Sequence, residues 1–174
     1  ALGAWPRLEW LRHNRPDIFD KAERLSMIND WISARLSGEI VVEPSNAGTT
    51  GLMDPTTRQW SDELIAQADL PRGLFPDVVE PGSMIGRVTA KASEETGLAQ
   101  GTPVICGGGD VQMGTLGLGI TADGDAAVLG GSFWQQVINI PAGRTDDTMR
   151  VRINPHVIEG LNQAECISFF VGLT

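Results

Sequence analysis

A short apolar run, Thr102-Pro103-Val104-Ile105-Cys106, leads directly into Gly107-Gly108-Gly109-Asp110, and a stretch rich in small residues, Val111 to Leu118, follows. The run reads as a strand and the stretch as a helix, so the chain carries a strand–glycine turn–helix unit. Three consecutive glycines let a substrate or a neighbouring backbone come close. In α/β sheets, ligands bind in the crevice beyond the carboxyl ends of strands. Two compatible readings of Asp110 are open. It caps the helix that it begins, or it faces a cleft as a general base.

The rest of the chain fits the same class. The first third reads as helical: Pro6 to Asn14, with Leu8 and Leu11 three apart, then a second helix from Pro16 to about Glu23. Asn29 is the expected N-cap of a helix over residues 30–36 that ends at Gly38, with Ile32 and Leu36 facing the core. Residues 43–60 carry Pro, Ser, Asn, Gly and Thr, which is loop and turn chemistry. Ser61 begins a short helix, prolines 71, 76 and 81 mark an extended stretch, and Thr89 to Glu95 forms a helix closed by Gly97. Two β-rich runs flank Gly130-Gly131 between Ala126 and Ile140. Met149 to Ile153 alternates like a strand, and Gln163 to Phe169 is either a strand or the start of a helix. Helices first and mixed strands later indicate an α/β chain with a lobe boundary near residues 112–118.

Charge and cysteine usage narrow the partners. The 174 residues carry 13 Lys and Arg against 22 Asp and Glu, a formal charge of −9. Only Lys21 and Lys91 are lysines, and the arginines are scattered. A negative field disfavours nucleic acid and anionic membrane surfaces. No apolar run approaches the ~18 residues that span a bilayer. Cys106 and Cys166 sit far apart in apolar runs and read as buried free thiols of a reducing, cytoplasmic compartment. The final run, Ile167 to Thr174, is apolar, which leads us to expect a segment of a larger protein.

Several chemistries are excluded by motif. The chain has no G-x-x-x-x-G-K-[ST], C-x-x-C, H-E-x-x-H or G-x-S-x-G. Gln112 stands where a dinucleotide fingerprint needs glycine. Val128 to Trp134 offers a second candidate. Gly130, Gly131 and Ser132 form either a plain hairpin turn or a cradle of backbone N–H groups for a phosphate. Trp134 with Gln135-Gln136 suits a polyol and equally a half-buried strand. Ser45 to Gly51 is indistinguishable from a surface loop, and His156 reads as a structural surface histidine.

Taken in order, the segments resemble the FGGY family of carbohydrate kinases. The resemblance rests on Asp30-Trp31 and Leu36-Ser37-Gly38, then Pro44-Ser45-Asn46-Ala47 and Leu52-Met53-Asp54 with Trp60. It continues through Gly86-Arg87-Val88-Thr89 and Gly101-Thr102-Pro103-Val104 to the Gly107–Asp110 turn, and on to Arg152-Ile153-Asn154-Pro155-His156. It implies an α/β, actin-like (ribonuclease H-like) two-lobe ATPase fold. Residues 1–112 would end the first, substrate-binding lobe and residues 113–174 would begin the second, nucleotide-binding lobe.

The implied reaction is ATP-dependent phosphorylation of a hydroxyl on a small linear sugar-like substrate. Dihydroxypentanedione is favoured; a pentulose (xylulose or ribulose) and a non-catalytic sugar-sensing module are the alternatives. The resemblance assigns Asp110 as general base, Trp134 and Gln112 to the substrate, and Gly130, Gly131 and Ser132 to the ATP phosphates. Mg2+ would accompany ATP and be held mostly by parts of the family chain absent from this sequence, so residues 1–174 alone are expected to be inactive. Two positions depart from the family pattern. Gly131 replaces the usual threonine of the second phosphate loop, and Val111 stands where glycerol kinases carry a polar residue.

Overall fold

The computed structural model describes residues 3–130 and 133–169, with the side chains of residues 133 and 167–169 left aside. The expected Gly131 and Ser132 contacts lie outside the described residues.

Helix α1 spans Trp5–Asn14, with Pro6 in its first turn, and α2 spans Pro16–Phe19. The second helix is shorter than expected because the chain turns after Phe19, which is buried. Helix α3 covers Ile28–Ser37. It begins before Asn29, because the Asp30 carboxylate reaches back and accepts the Met27 N–H at 3.1 Å. Gly38 closes it with φ +86°, as expected. Leu36 packs against Val88, Ala92 and Val104, but Ile32 is exposed rather than core-facing.

Residues 41–78, together with Phe19, hold the first core. Strand β1 (Val41–Val42) pairs in parallel with β4 (Asp77–Val78). Between them lie α4 (Pro44–Gly48), the hairpin β2 (Met53–Asp54) with β3 (Gln59–Trp60), α5 (Asp62–Gln67) and a 3-10 turn over Arg72–Leu74. The expected loop at 43–60 therefore contains a helix and a hairpin. Phe19, Val42, Leu52, Trp60, Ile65, Leu74 and Phe75 form this core, and Trp60 meets Phe75 edge-on. Ser61 caps α5 as expected, accepting from the Leu64 N–H.

Strand β5 (Met84–Arg87) pairs antiparallel with β6 (Pro103–Ile105), and α6 (Ala90–Thr96) joins them between a Thr89 cap and Gly97. Helix α7 (Asp110–Gly117) follows the glycine turn and runs unbroken through Gly114. The last segment is one four-stranded antiparallel sheet in the order β7-β8-β10-β9. Its strands are Ala126–Leu129, Phe133–Pro141, Leu161–Phe169 and Arg152–Pro155 for β7, β8, β10 and β9. Strand β9 starts later than the alternation suggests. The Asp146 carboxylate accepts the N–H groups of Thr148, Arg150 and Val151 and folds residues 146–151 into a turn.

The two faces of this sheet are unusual. Strand alternation places Gln135, Asn139, Gln163 and Glu165 on the buried face, beneath α7. The opposite face carries Val128, Ile138 and Cys166, borders a 460 Å³ groove and is exposed. Cys166 is therefore exposed, not buried, because it stands opposite Gln136 on that outer face. Cys106 is buried, as expected.

Candidate active site

The site is assembled by close backbone approach. A Cβ on Gly108 would lie 2.2 Å from Val157 Cγ1, and one on Gly109 would lie 2.5 Å from Gln112 Oε1. A side chain at Gly108 has to displace Val157, and one at Gly109 has to displace the Gln112 amide. The turn is also tied down from α4. The Gly109 N–H donates to Ser45 Oγ at 2.8 Å, and Ser45 Oγ donates in turn to the Glu43 carboxylate at 2.8 Å. Glu43, fully buried, also accepts the N–H groups of Ser45 and Asn46 at the start of α4. Burial pushes its carboxyl up, against the pull of those donors. Asp30, also buried, is pushed up to about 6, mainly by burial and further by the Glu43 charge. The same surroundings drive the Cys106 thiol up to about 12, burial first and then the charges of Glu43, Asp30 and Glu80.

Asp110 is the first residue of α7, while Gly109 is its N-cap. The Asp110 carboxylate is exposed and accepts the Val111 N–H at 2.9 Å. It borders a 210 Å³ cavity whose walls also include Asn46, Thr49, Gln112, Gln135, Arg152, Asn154 and Glu165. Glu165 is the hub of the far wall. It accepts from Gln112 Nε2 at 2.7 Å, Asn154 Nδ2 at 2.9 Å and Gln135 Nε2 at 3.2 Å.

Of the expected site residues, the fold thus brings Asp110 and Gln112 to one cavity. Gln112 is buried, and its amide N–H is engaged by Glu165. Trp134 is 41% exposed and is not among the residues lining this cavity; alternation puts it on the opposite face of β8 from Gln135. Its indole lies beside Gly130, where a Cβ would sit 3.5 Å from it. His156 is not at the surface but fully buried. Its Nδ1 accepts the Ile158 N–H at 3.0 Å, and its carbonyl accepts from Arg58, which is paired with Glu80. Burial, and then Arg58, holds the imidazole pKa below its usual value.

Sequence reading did not single out Glu165 or Arg152. A lone acid in the apolar run Ala164-Glu165-Cys166-Ile167 was the available signal for the first. Among the described residues, no cluster of three or more His, Cys, Asp or Glu side chains is placed to hold a metal ion. No helix among them is long and apolar enough to cross a membrane.

The likenesses to known proteins agree with this architecture. Residues 4–117 match the FGGY family of carbohydrate kinases, N-terminal domain. The whole chain is 56% identical to the autoinducer-2 kinase of Klebsiella pneumoniae and 57% identical to that of Yersinia enterocolitica, covering 33% of each. It therefore spans about a third of the length of the curated relatives it matches. Among solved structures, the xylulose kinase of Rhodospirillum rubrum superposes with a TM-score of 0.87 at 27% identity, over 95% of this chain and 33% of that one. The Plasmodium falciparum glycerol kinase with ADP superposes with a TM-score of 0.84 at 21% identity, over 95% of this chain and 34% of that one, a likeness of fold. With its α/β, actin-like architecture and this match through more than half its length, the chain belongs to the FGGY family of carbohydrate kinases.

Proposed function

We propose that the whole protein transfers the γ-phosphoryl group of ATP to a hydroxyl of dihydroxypentanedione, with Asp110 as general base. The observation that carries this is the placement of Asp110. Its carboxylate begins α7, is solvent-accessible, and borders a small polar cavity next to a glycine turn braced by Ser45. In the reaction, Asp110 takes the proton of the attacking hydroxyl, the new O–P bond forms, and the bond to the ADP oxygen breaks. Positioning and charge stabilisation supply most of the acceleration in such transfers. Gln112 contacts the substrate from the cavity wall; Trp134, assigned to the substrate by the resemblance, lies outside this cavity beside Gly130. The backbone of Gly130 and Gly131 and the Ser132 hydroxyl meet the ATP phosphates, and Mg2+ enters with ATP.

The choice of substrate follows the autoinducer-2 kinase relatives. A pentulose is the second reading, favoured by the likeness to the xylulose kinase. We put the lobe boundary at residues 112/113, inside α7. Residues 1–174 act only within the longer, cytoplasmic chain, since the apolar face of the last sheet is exposed in this segment.

The test is phosphoryl transfer from ATP by the full-length protein, with dihydroxypentanedione, xylulose, ribulose and glycerol offered in parallel. The expected result is turnover of the dione and a loss of at least ~10²-fold in kcat for Asp110→Asn. An Asn variant as fast as the wild type removes the base assignment, and no transfer to any of the four substrates leaves a sensing module as the better reading.

A further inference from the structure

Two residues that line the Asp110 cavity each carry a buried polar atom with no partner among the described residues. Asn154 is 2% exposed, and its Nδ2 is fixed by Glu165, yet its Oδ1 has no hydrogen-bond partner among the described residues. Arg152 stands directly across from Glu165 in the β9–β10 register, while the Glu165 oxygens accept from three amides. One terminal nitrogen of Arg152, Nη2, is buried without a partner among the described residues. Leaving a buried donor and a buried acceptor unpaired is costly, and a charged donor more so. Both residues also line a second cavity, of 340 Å³, shared with Thr49 and Gly51.

We propose that Arg152 Nη2 and Asn154 Oδ1 are the recognition pair for the phosphoryl acceptor, a neutral, oxygen-rich chain of about five carbons. The inference rests on the kinase reading above and adds to it the residues that choose the substrate. The donor takes a carbonyl or hydroxyl oxygen of the ligand, and the acceptor takes a neighbouring hydroxyl proton. Size follows from volume. A cavity of about 150 Å³ holds a six-carbon ring, so the 210 Å³ here admits a chain of comparable length. Neutrality follows from charge. The Asp110 and Glu165 carboxylates share the wall with the single guanidinium of Arg152, so a sugar acid is repelled. Glu165 acts as the positioning residue, because it orients the Asn154 amide and thereby aims Oδ1.

The experiment uses the full-length protein, wild type, Arg152→Gln and Arg152→Lys. Steady-state kinetics are measured with dihydroxypentanedione, xylulose and gluconate, and the Tm of each free protein is recorded. Arg152→Gln is expected to raise KM for the neutral substrate about tenfold or more, with kcat within ~3-fold, and with KM for ATP unchanged. Arg152→Lys restores part of the loss, and gluconate is rejected by the wild type. Because Arg152 Nη2 satisfies no acceptor among the described residues, Arg152→Gln is expected not to lower Tm. Unchanged KM in Arg152→Gln overturns the assignment while leaving the kinase reading intact, as does efficient phosphorylation of gluconate. A KM rise accompanied by a fall in Tm marks Arg152 as structural and also overturns it. If the wild type transfers no phosphoryl group, the kinase reading fails separately, and calorimetric titration with dihydroxypentanedione and xylulose decides. Binding weakened at least tenfold by Arg152→Gln upholds the recognition pair, and no binding by the wild type overturns it.

Discussion

Asp30 and Glu43 are buried acids, both raised by burial, and only Glu43 bonds the Ser45 hydroxyl that braces the Gly107–Asp110 turn. Asp30 titrates near 6 instead of at its ordinary carboxyl value of 3.8. A carboxyl raised on folding favours the native state in its protonated form. That contribution is complete below about pH 4 and is lost as pH rises through about 6. Asp30→Asn keeps an acceptor for the Met27 N–H and removes the charge. Its Tm should exceed that of the wild type by a few degrees at pH 7 to 8, and the difference should vanish by pH 4. Thermal unfolding of both proteins across that range checks it. At this scale the sequence was partly legible. Asp110 stood out because three glycines lead into it, whereas Glu165 and Arg152 belong to ordinary-looking strands and acquire meaning only through the cross-strand register that pairs them.

Among the elements, α4 matters more than its five residues suggest. Its Glu43 cap is shared: the carboxylate that satisfies the helix N–H groups also orients Ser45, which holds Gly109 in place. Ser45→Ala deletes the acceptor for Gly109 and a donor to a buried carboxylate. Such a loss costs about 1–3 kcal/mol. The expected outcome is a lower Tm and a kcat reduced roughly tenfold with little change in KM for ATP, since the turn carrying Asp110 loosens. Thermal unfolding and single-turnover transfer measure the two effects. The helices α3, α5 and α6 were readable because glycine and hydroxyl caps are local signals. Helix α4 was not, because a Pro-Ser-Asn-Ala-Gly string carries turn chemistry. Its helical state comes from the Glu43 cap and from packing against β9, where a Cβ on Gly48 would lie 2.7 Å from Pro155 Cδ.

For the molecule as a whole, the order of helices followed by strands was legible, and the resemblance of ordered short motifs supplied the family. The orientation of the last sheet was not. Its alternation reads the same whichever face is covered, and here the polar face is the buried one, engaged by α7 through Gln112 and Thr115. Helix α7 therefore ties the glycine turn to the sheet, while Gly108 meets Val157 just beyond β9. That meeting has a genetic consequence. Gly108→Ala should abolish activity through a steric clash with one named methyl group, so a second-site change that removes the methyl should revive it. Val157→Ala is the expected suppressor of Gly108→Ala, and Val157→Ile is not. A selection for revertants, scored by growth or by activity in extracts, reads the contact between the Gly108 backbone and the Val157 side chain without any further structure.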